Sequence, residues 1–305
     1  MTLGALPDET VILEDSHIGR QGALDSKCHL VPIEDRKDLN QSKVDRIKRI
    51  LNGKKKKVSW ESKTMNVLIP MAGRGSRFAT QGYTFPKPLI DVKGKPMIQV
   101  VVDNLNIKAN YTFIVQKEHY EKYSLQYLLN LIAPDCNIVQ VDGITEGAAC
   151  TTLLAKQFID NDEPLLMANS DQFVEWDSNE TLYAFSNGEC DGGILTFPAS
   201  HPKWSYAKLD DDGMVTEVAE KKPISEHATV GVYWWKKGSD YVKYAEQMIE
   251  KDIRTNGEFY VCPVFNEAIE DGKKVRIKEI GKDGMWGIGT PEDLSYFLEH
   301  YTGEI

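Results

Sequence analysis

The chain has 305 residues, of which 41% are hydrophobic and 27% charged, and its net charge is −10. This is the composition of a folded globular protein with a sizeable core. Its acidity excludes broad nucleic-acid binding, which needs a basic face to displace counterions, but not a nucleotide, which a few local cations can hold.

Leu6, Ile12, Ile18, Leu24 and Leu30 recur every six residues near the start, with the small residues Thr10, Ser16, Gly22 and Cys28 four places after aliphatic ones. The period predicts an appendage of left-handed β-helix type over residues 1–38, and such an open coil would favour self-association into a homo-oligomer. Residues 39–64 read as a short amphipathic helix, with Val44, Ile47, Ile50 and Leu51 on one face, followed by a basic linker at Lys54-Lys55-Lys56-Lys57. The five cysteines are scattered without a C-x-x-C pair. That argues against a zinc site or disulfide framework and for a reducing compartment. No signal-peptide pattern opens the sequence and no run of ~18 apolar residues occurs, so the expectation is a cytoplasmic protein without a membrane partner.

A larger domain is expected over 65–305. MNVLIPM at 65–71 is an apolar run suited to a strand buried on both faces. A helix near 97–106, a strand at 111–116, a helix at 118–132, a strand at 137–141, a helix at 147–160 and a strand at 164–169 follow. The order predicts an α/β fold: a three-layer, Rossmann-like, mostly parallel sheet. Strands at 192–197, 205–210, 214–220 and 229–235, with a hairpin turn at Asp211-Asp212-Gly213, read as an antiparallel insertion. Helices near 239–252 and 291–300 close the domain.

The segment Leu68-Ile-Pro-Met-Ala-Gly-Arg-Gly-Ser-Arg77-Phe78 directly follows the first long strand, and Phe85-Pro86-Lys87-Pro88-Leu89-Ile90 comes shortly after. Open α/β sheets bind ligands at the carboxyl ends of their strands. Gly73 and Gly75 let the backbone curl around phosphate oxygens, Arg77 can fork onto a polyphosphate, and Lys87 offers a compact charge. The loop is not a Walker A loop, since no G-K-[ST] follows, nor a dinucleotide fingerprint, since Phe78 stands where the third glycine belongs.

A-G-x-G-x-R followed by P-K-P-L resembles the signature of the sugar-phosphate nucleotidyltransferases, such as the glucose-1-phosphate thymidylyl- and uridylyltransferases, across roughly residues 65–300. The resemblance implies a Mg²⁺-dependent nucleotidyltransferase domain over 65–305. It would transfer NMP from an NTP to a sugar 1-phosphate and release pyrophosphate. It further implies nucleotide-phosphate contacts at Ala72, Gly73, Gly75 and Ser76, and catalytic roles for Arg77 and Lys87. Gly147 and Ala148, in the small-residue helix start Thr145-Glu146-Gly147-Ala148-Ala149, would touch the nucleobase. Asp171, in Asn169-Ser170-Asp171-Gln172 at the end of a buried strand, would hold the metal. Glu220 and Lys221 would hold the acceptor, with Lys222 as the other candidate because strand neighbours face opposite sides. One departure stands out. In Trp286-Gly287-Ile288-Gly289-Thr290-Pro291, the family's second metal-binding aspartate falls on Gly287, and Asp177 or Glu258 would have to substitute if a second carboxylate is needed. His119, His201 and His227 belong to no triad-like constellation. Three other readings stay open: a cytidylyltransferase for a non-sugar phosphate such as phosphocholine, a glycosyltransferase with a similar sheet, and a non-catalytic nucleotide-binding module.

Overall fold

A computed structural model of the chain describes residues 10–33, 38–39, 43–44, 47, 50, 59–73, 75–303 and 305. It divides into two units: Met1–Ser59 with Asp177–Glu180, and Trp60–Trp176 with Thr181–Ile305.

In the first unit, β1 (Val11–Glu14) and β2 (His29–Pro32) pair in parallel across the helix α1 (His17–Asp25). The expected β-helix is thereby corrected, because a helix runs through the positions that two of its extended sides would occupy. The physical reason lies at Ser16, whose hydroxyl accepts from the Gly19 N–H at 3.1 Å and caps α1. Ile18, which a coil would turn inward, is 89% exposed, and Ala23 and Val31 are the buried contacts instead. The short helix and the Lys54–Lys57 run expected within 39–64 fall largely or wholly outside the described residues.

In the second unit, β3 (Trp60–Pro70) is the central strand and begins before the expected boundary at Met65. Val67, Leu68 and Ile69 are all fully buried. Val67 and Ile69 enter one hydrophobic cluster and Leu68 the other, as strand alternation requires of a sheet covered on both faces. β4 (Ile107–Gln116) and β6 (Leu165–Ala168) flank β3 in parallel, and β5 (Asn137–Val141) extends the sheet beyond β4. The helices α2 (Ser76–Thr80), α3 (Met97–Leu105), α4 (Lys117–Tyr123), α5 (Leu125–Ile132) and α6 (Ala148–Leu153) lie between these strands in sequence. After β6, the short β7 (Gln172–Val174) leaves the main sheet. β8 (Gly192–Pro198), β9 (Ser205–Leu209), β10 (Val215–Glu220) and β11 (His227–Trp235) follow, with β11 antiparallel to β6, β8 and β9 and β9 antiparallel to β10. Among the described residues the sheet has nine strands, the last being β12 (Val275–Glu279), which lies parallel to β8. Helices α7 (Gly238–Glu250), α8 (Val264–Glu270) and α9 (Pro291–His300), with the short strand β13 (Met285–Gly287) paired to β7, follow in the same unit. This is the α/β architecture expected, a mostly parallel centre with antiparallel parts.

Two expected helices are each broken. Ser124, in the left-handed region at φ +50°, separates α4 from α5, and the helix expected at 147–160 is interrupted after Leu153 and resumes over Lys156–Ile159. Among the described residues, no helix is long and apolar enough to cross a membrane.

Candidate active site

The carboxyl ends of β3, β4, β5 and β6 open into one crevice with two compartments. The first, about 520 Å³, is lined by Met71, Ala72 and Gly73 after β3, Gln116 at the end of β4, Gly143 to Thr145 after β5, Gly147 and Ala148 at the start of α6, and Asp171 after β6. The second, about 410 Å³, is lined by Arg77, Asp171, Lys203, Trp204, Lys221, Gly287, Gly289 and Asp293. Asn169, Asp171, Ser205, Glu220 and Tyr233 line both and form the shared wall. A topological position of this kind is where open α/β sheets take their ligands.

At the wall, the Lys87 ammonium donates to Asp171 Oδ2 at 2.7 Å, with only 19% and 28% of the two side chains exposed. Lys87 arrives there on a tight 3₁₀ turn, Lys87–Leu89, stiffened by Pro86 and the buried Pro88. Gly75 makes the approach feasible: it sits at φ +58° as the N-cap of α2, and a Cβ on it would lie 3.1 Å from Lys87 Cβ. Asp171 is positioned by its carbonyl, which accepts from the Ile288 N–H at 3.0 Å, and by the pairing of β7 with β13. Gly289 faces it closely. A Cβ there would stand 2.4 Å from Asp171 Oδ2, so the carboxylate occupies space that any other residue at 289 would claim.

The first compartment's far wall is backbone against backbone. Gly147, at φ +139°, approaches Phe259 so closely that a Cβ would meet its carbonyl oxygen at 2.4 Å and its nitrogen at 2.5 Å. The Ala149 N–H donates to the Phe259 carbonyl and the Phe259 N–H to the Glu146 carbonyl, each at 2.9 Å. Arg254 locks the same junction, donating to Glu146 Oε2 at 2.6 Å and covering the Phe259 ring at 4.0 Å. Cys262 lines this compartment, but burial pushes its thiol far up and keeps it a protonated packing group.

In the second compartment, β10 delivers Glu220, whose carboxylate accepts from the Ser205 hydroxyl on β9. Burial raises the pKa of Glu220 above the ordinary glutamate value. The chain then turns at Lys221, which is left-handed at φ +56°. Its ammonium donates to the Tyr260 hydroxyl and lies 4.5 Å from that ring's centroid. The hydrogen bond to Tyr260 is the main reason that the lysine's pKa is raised. Lys222 is exposed and lines neither compartment, because the turn at Lys221 carries it away from the crevice.

The other expected site residues fall as follows. Ala72, Gly73, Gly147 and Ala148 line the first compartment with Lys87, and Asp171 lines both. Arg77 lines the second compartment instead. Ser76 is exposed at the start of α2 and lines neither compartment. Of the proposed substitutes for a carboxylate at 287, Glu258 lines the first compartment, whereas Asp177 belongs to the other unit. Among the described residues, no histidine lines either compartment.

Residues 66–303 match the family described as nucleotidyl transferase. The chain belongs to this family. It is 26% identical over 251 residues to the bifunctional protein GlmU of Methanocaldococcus jannaschii, covering 79% of this chain and 56% of that protein. It is 28% identical over 241 residues to the low-salt glycan biosynthesis nucleotidyltransferase Agl11 of Haloferax volcanii, covering 75% of this chain and 64% of that protein. The chain thus spans less than two thirds of the length of either relative. Among solved structures, it resembles a nucleoside-diphosphate-sugar pyrophosphorylase from Vibrio cholerae at a TM-score of 0.66 and 25% identity, covering 77% of this chain and 100% of that one.

A divalent cation is the cofactor that membership of the nucleotidyl transferase family implies. Among the described residues, no group of three or more His, Cys, Asp or Glu side chains is arranged to hold a metal. Asp171 nevertheless fits a cation, since the Lys87 ammonium already stands against its Oδ2 and Gly289 leaves that oxygen room. A hard cation with one protein carboxylate, completed by phosphate oxygens and water, is an ordinary arrangement for Mg²⁺.

Several lining residues carried no sequence expectation. Gln116 ends an apolar strand as Asn169-Ser170-Asp171 follows one, so the same strand-end signal could have found it. Asp293 lies against Gly287: a Cβ at 287 would be 3.4 Å from Asp293 Oδ2. Trp204, Ser205 and Tyr260 come from the insertion and from a turn after α7, where nothing in the local pattern marks a ligand wall.

Proposed function

We propose that this nucleotidyl transferase moves a nucleoside monophosphate from an NTP to a sugar 1-phosphate, giving a nucleotide-sugar and pyrophosphate. The carrying observation is the Lys87–Asp171 pair in the wall shared by two compartments, one floored by a glycine loop and the other lined by cations. The nucleoside occupies the first compartment, with its base over Gly147 and Ala148. The sugar phosphate occupies the second, with its hydroxyls at Glu220 and its phosphate at Lys221. An acceptor phosphate oxygen forms a bond to the α-phosphorus as the bond to the bridging oxygen breaks, and pyrophosphate leaves with that oxygen.

The acceptor phosphate is already ionised, so no general base is required, which is consistent with compartments free of histidine. The side chains' work is alignment and charge neutralisation. Lys87 meets the α-phosphate at the wall, and Arg77 meets phosphate oxygens that project past Asp171 into the second compartment. Asp171 would hold Mg²⁺, which when bound supplies charge neutralisation on the phosphoryl oxygens.

One observation favours a second acceptor class. The Lys203 ammonium lies 4.6 Å from the Trp204 ring centroid and 3.7 Å from Asp293 Oδ1, so this wall accommodates a cation. A phosphorylated quaternary ammonium such as phosphocholine would use the same ring and carboxylate. Pyrophosphate release from a matrix of NTPs against sugar 1-phosphates and phosphocholine tests both readings. Release with no acceptor in the matrix would remove the proposed function, and sugar release from a nucleotide-sugar would indicate a glycosyltransferase.

A further inference from the structure

Gln116, the last residue of β4, holds two loops of the first compartment together. Its side-chain Nε2 donates to the Ala72 carbonyl on the phosphate loop and, at 2.9 Å, to the Gly143 carbonyl on the loop after β5. Both N–H groups are thus spent on backbone acceptors from different strands. Turning the amide over would set its oxygen against those two carbonyls, so the orientation is determined by the network. The remaining atom, Oε1, makes no hydrogen bond among the described residues, and the side chain lines the compartment. The result is an immobilised acceptor with two lone pairs in a wall shared with Gly143, Ile144, Thr145 and Thr151, where the two threonine hydroxyls are engaged with each other and with the Gly147 carbonyl.

We propose that Gln116 is a positioning and base-reading residue: its amide keeps the phosphate loop and the β5 loop in register, and its Oε1 accepts an N–H from the nucleobase edge. This inference rests on the assignment of the first compartment to the nucleoside. The ring N–H or exocyclic amino group of a base is the complementary donor. A fixed acceptor discriminates among bases by where that donor lies, because a misplaced or absent donor leaves Oε1 desolvated and unpaired.

Isothermal titration of the full chain with ATP, CTP, GTP, UTP and dTTP, with Mg²⁺ and without acceptor, tests the proposal. The melting midpoint of each variant serves as the folding control. Gln116→Met is expected to bind the preferred NTP about tenfold more weakly, the equivalent of one or two lost hydrogen bonds, and to flatten the ranking of bases. Gln116→Glu retains an acceptor oxygen but opposes two carbonyls with another oxygen, so it should weaken every NTP while preserving the ranking. A purely structural tie would weaken all NTPs alike in both variants. Unchanged affinities, or a uniform loss with the ranking intact in Gln116→Met, overturn the proposal. Absence of NTP binding by the wild-type chain would overturn the functional reading itself, and it would be seen before any variant is made.

Discussion

Replacing Gly289 by alanine tests the geometry around Asp171 with a single methyl group. The added Cβ would stand 2.4 Å from Asp171 Oδ2 and 2.9 Å from its Cγ, where ordinary contact begins near 3.4 Å. The carboxyl group must therefore retreat by about 1 Å, and a displacement of that size in a catalytic constellation can cost ~10²-fold in rate. In barrier terms this is ~2.7 kcal/mol. The backbone at 289 has no left-handed φ, so alanine should be accepted without unfolding the chain. Gly287→Ala is the matched control, because its Cβ would lie 3.4 Å from Asp293 Oδ2, an ordinary contact. Steady-state pyrophosphate release, with a thermal melt of each variant, should show Gly289→Ala slowed about a hundredfold and Gly287→Ala within about threefold of the parent. Near-parental turnover in Gly289→Ala, alongside a hundredfold loss in Asp171→Asn, would refute the claim that the position of this carboxylate governs the reaction.

Lys87→Met and Arg77→Ala should each lower turnover by two or more orders of magnitude, ~2–4 kcal/mol of barrier, with circular dichroism unchanged. Trp204→Ala should raise KM for the acceptor severalfold and leave NTP affinity unaltered, as read by initial rates with each substrate varied in turn. Glu220→Gln should change stability in a pH-dependent way. Burial raises the pKa of Glu220 above its ordinary 4.5, so the folded state binds this proton more tightly than the unfolded chain. Its contribution is full below 4.5 and is lost as pH rises through the folded value. At neutral pH the glutamine variant should therefore melt higher than the parent, and the difference should vanish in acid. A variant melting lower at neutral pH, in scanning calorimetry across that range, would contradict the buried-carboxylate account.

The sheet was legible because burial on two faces writes itself as uninterrupted apolar runs. Met65 to Met71 and Leu165 to Ala168 have no other economical reading, and strand ends then point to the crevice without further information. Helix limits were less legible, since Ser124 breaks a continuous amphipathic pattern by adopting a left-handed conformation that its residue type does not announce. The hexad pattern at the start misled for a related reason. Periodicity alone cannot tell a coil side from a helix, and the Ser16 cap settled the matter locally.

Side chains that join the site through the insertion follow a different logic. Glu220 and Lys221 were visible as a charged strand end, yet which lysine turns inward depended on the left-handed φ at Lys221 and on Tyr260, a partner 39 residues away that supplies both a hydroxyl and a ring face. Gly287 and Gly289 show the converse. Read as letters, they are a missing aspartate and a turn. In three dimensions Gly289 is a clearance that admits the Asp171 carboxylate from the end of β6, while Gly287 stands at ordinary contact distance from Asp293 on its own segment, and both carboxylates line the same cavity. Gly289 is thus informative through what it admits, and that neighbour is set by tertiary packing rather than by anything adjacent in the chain.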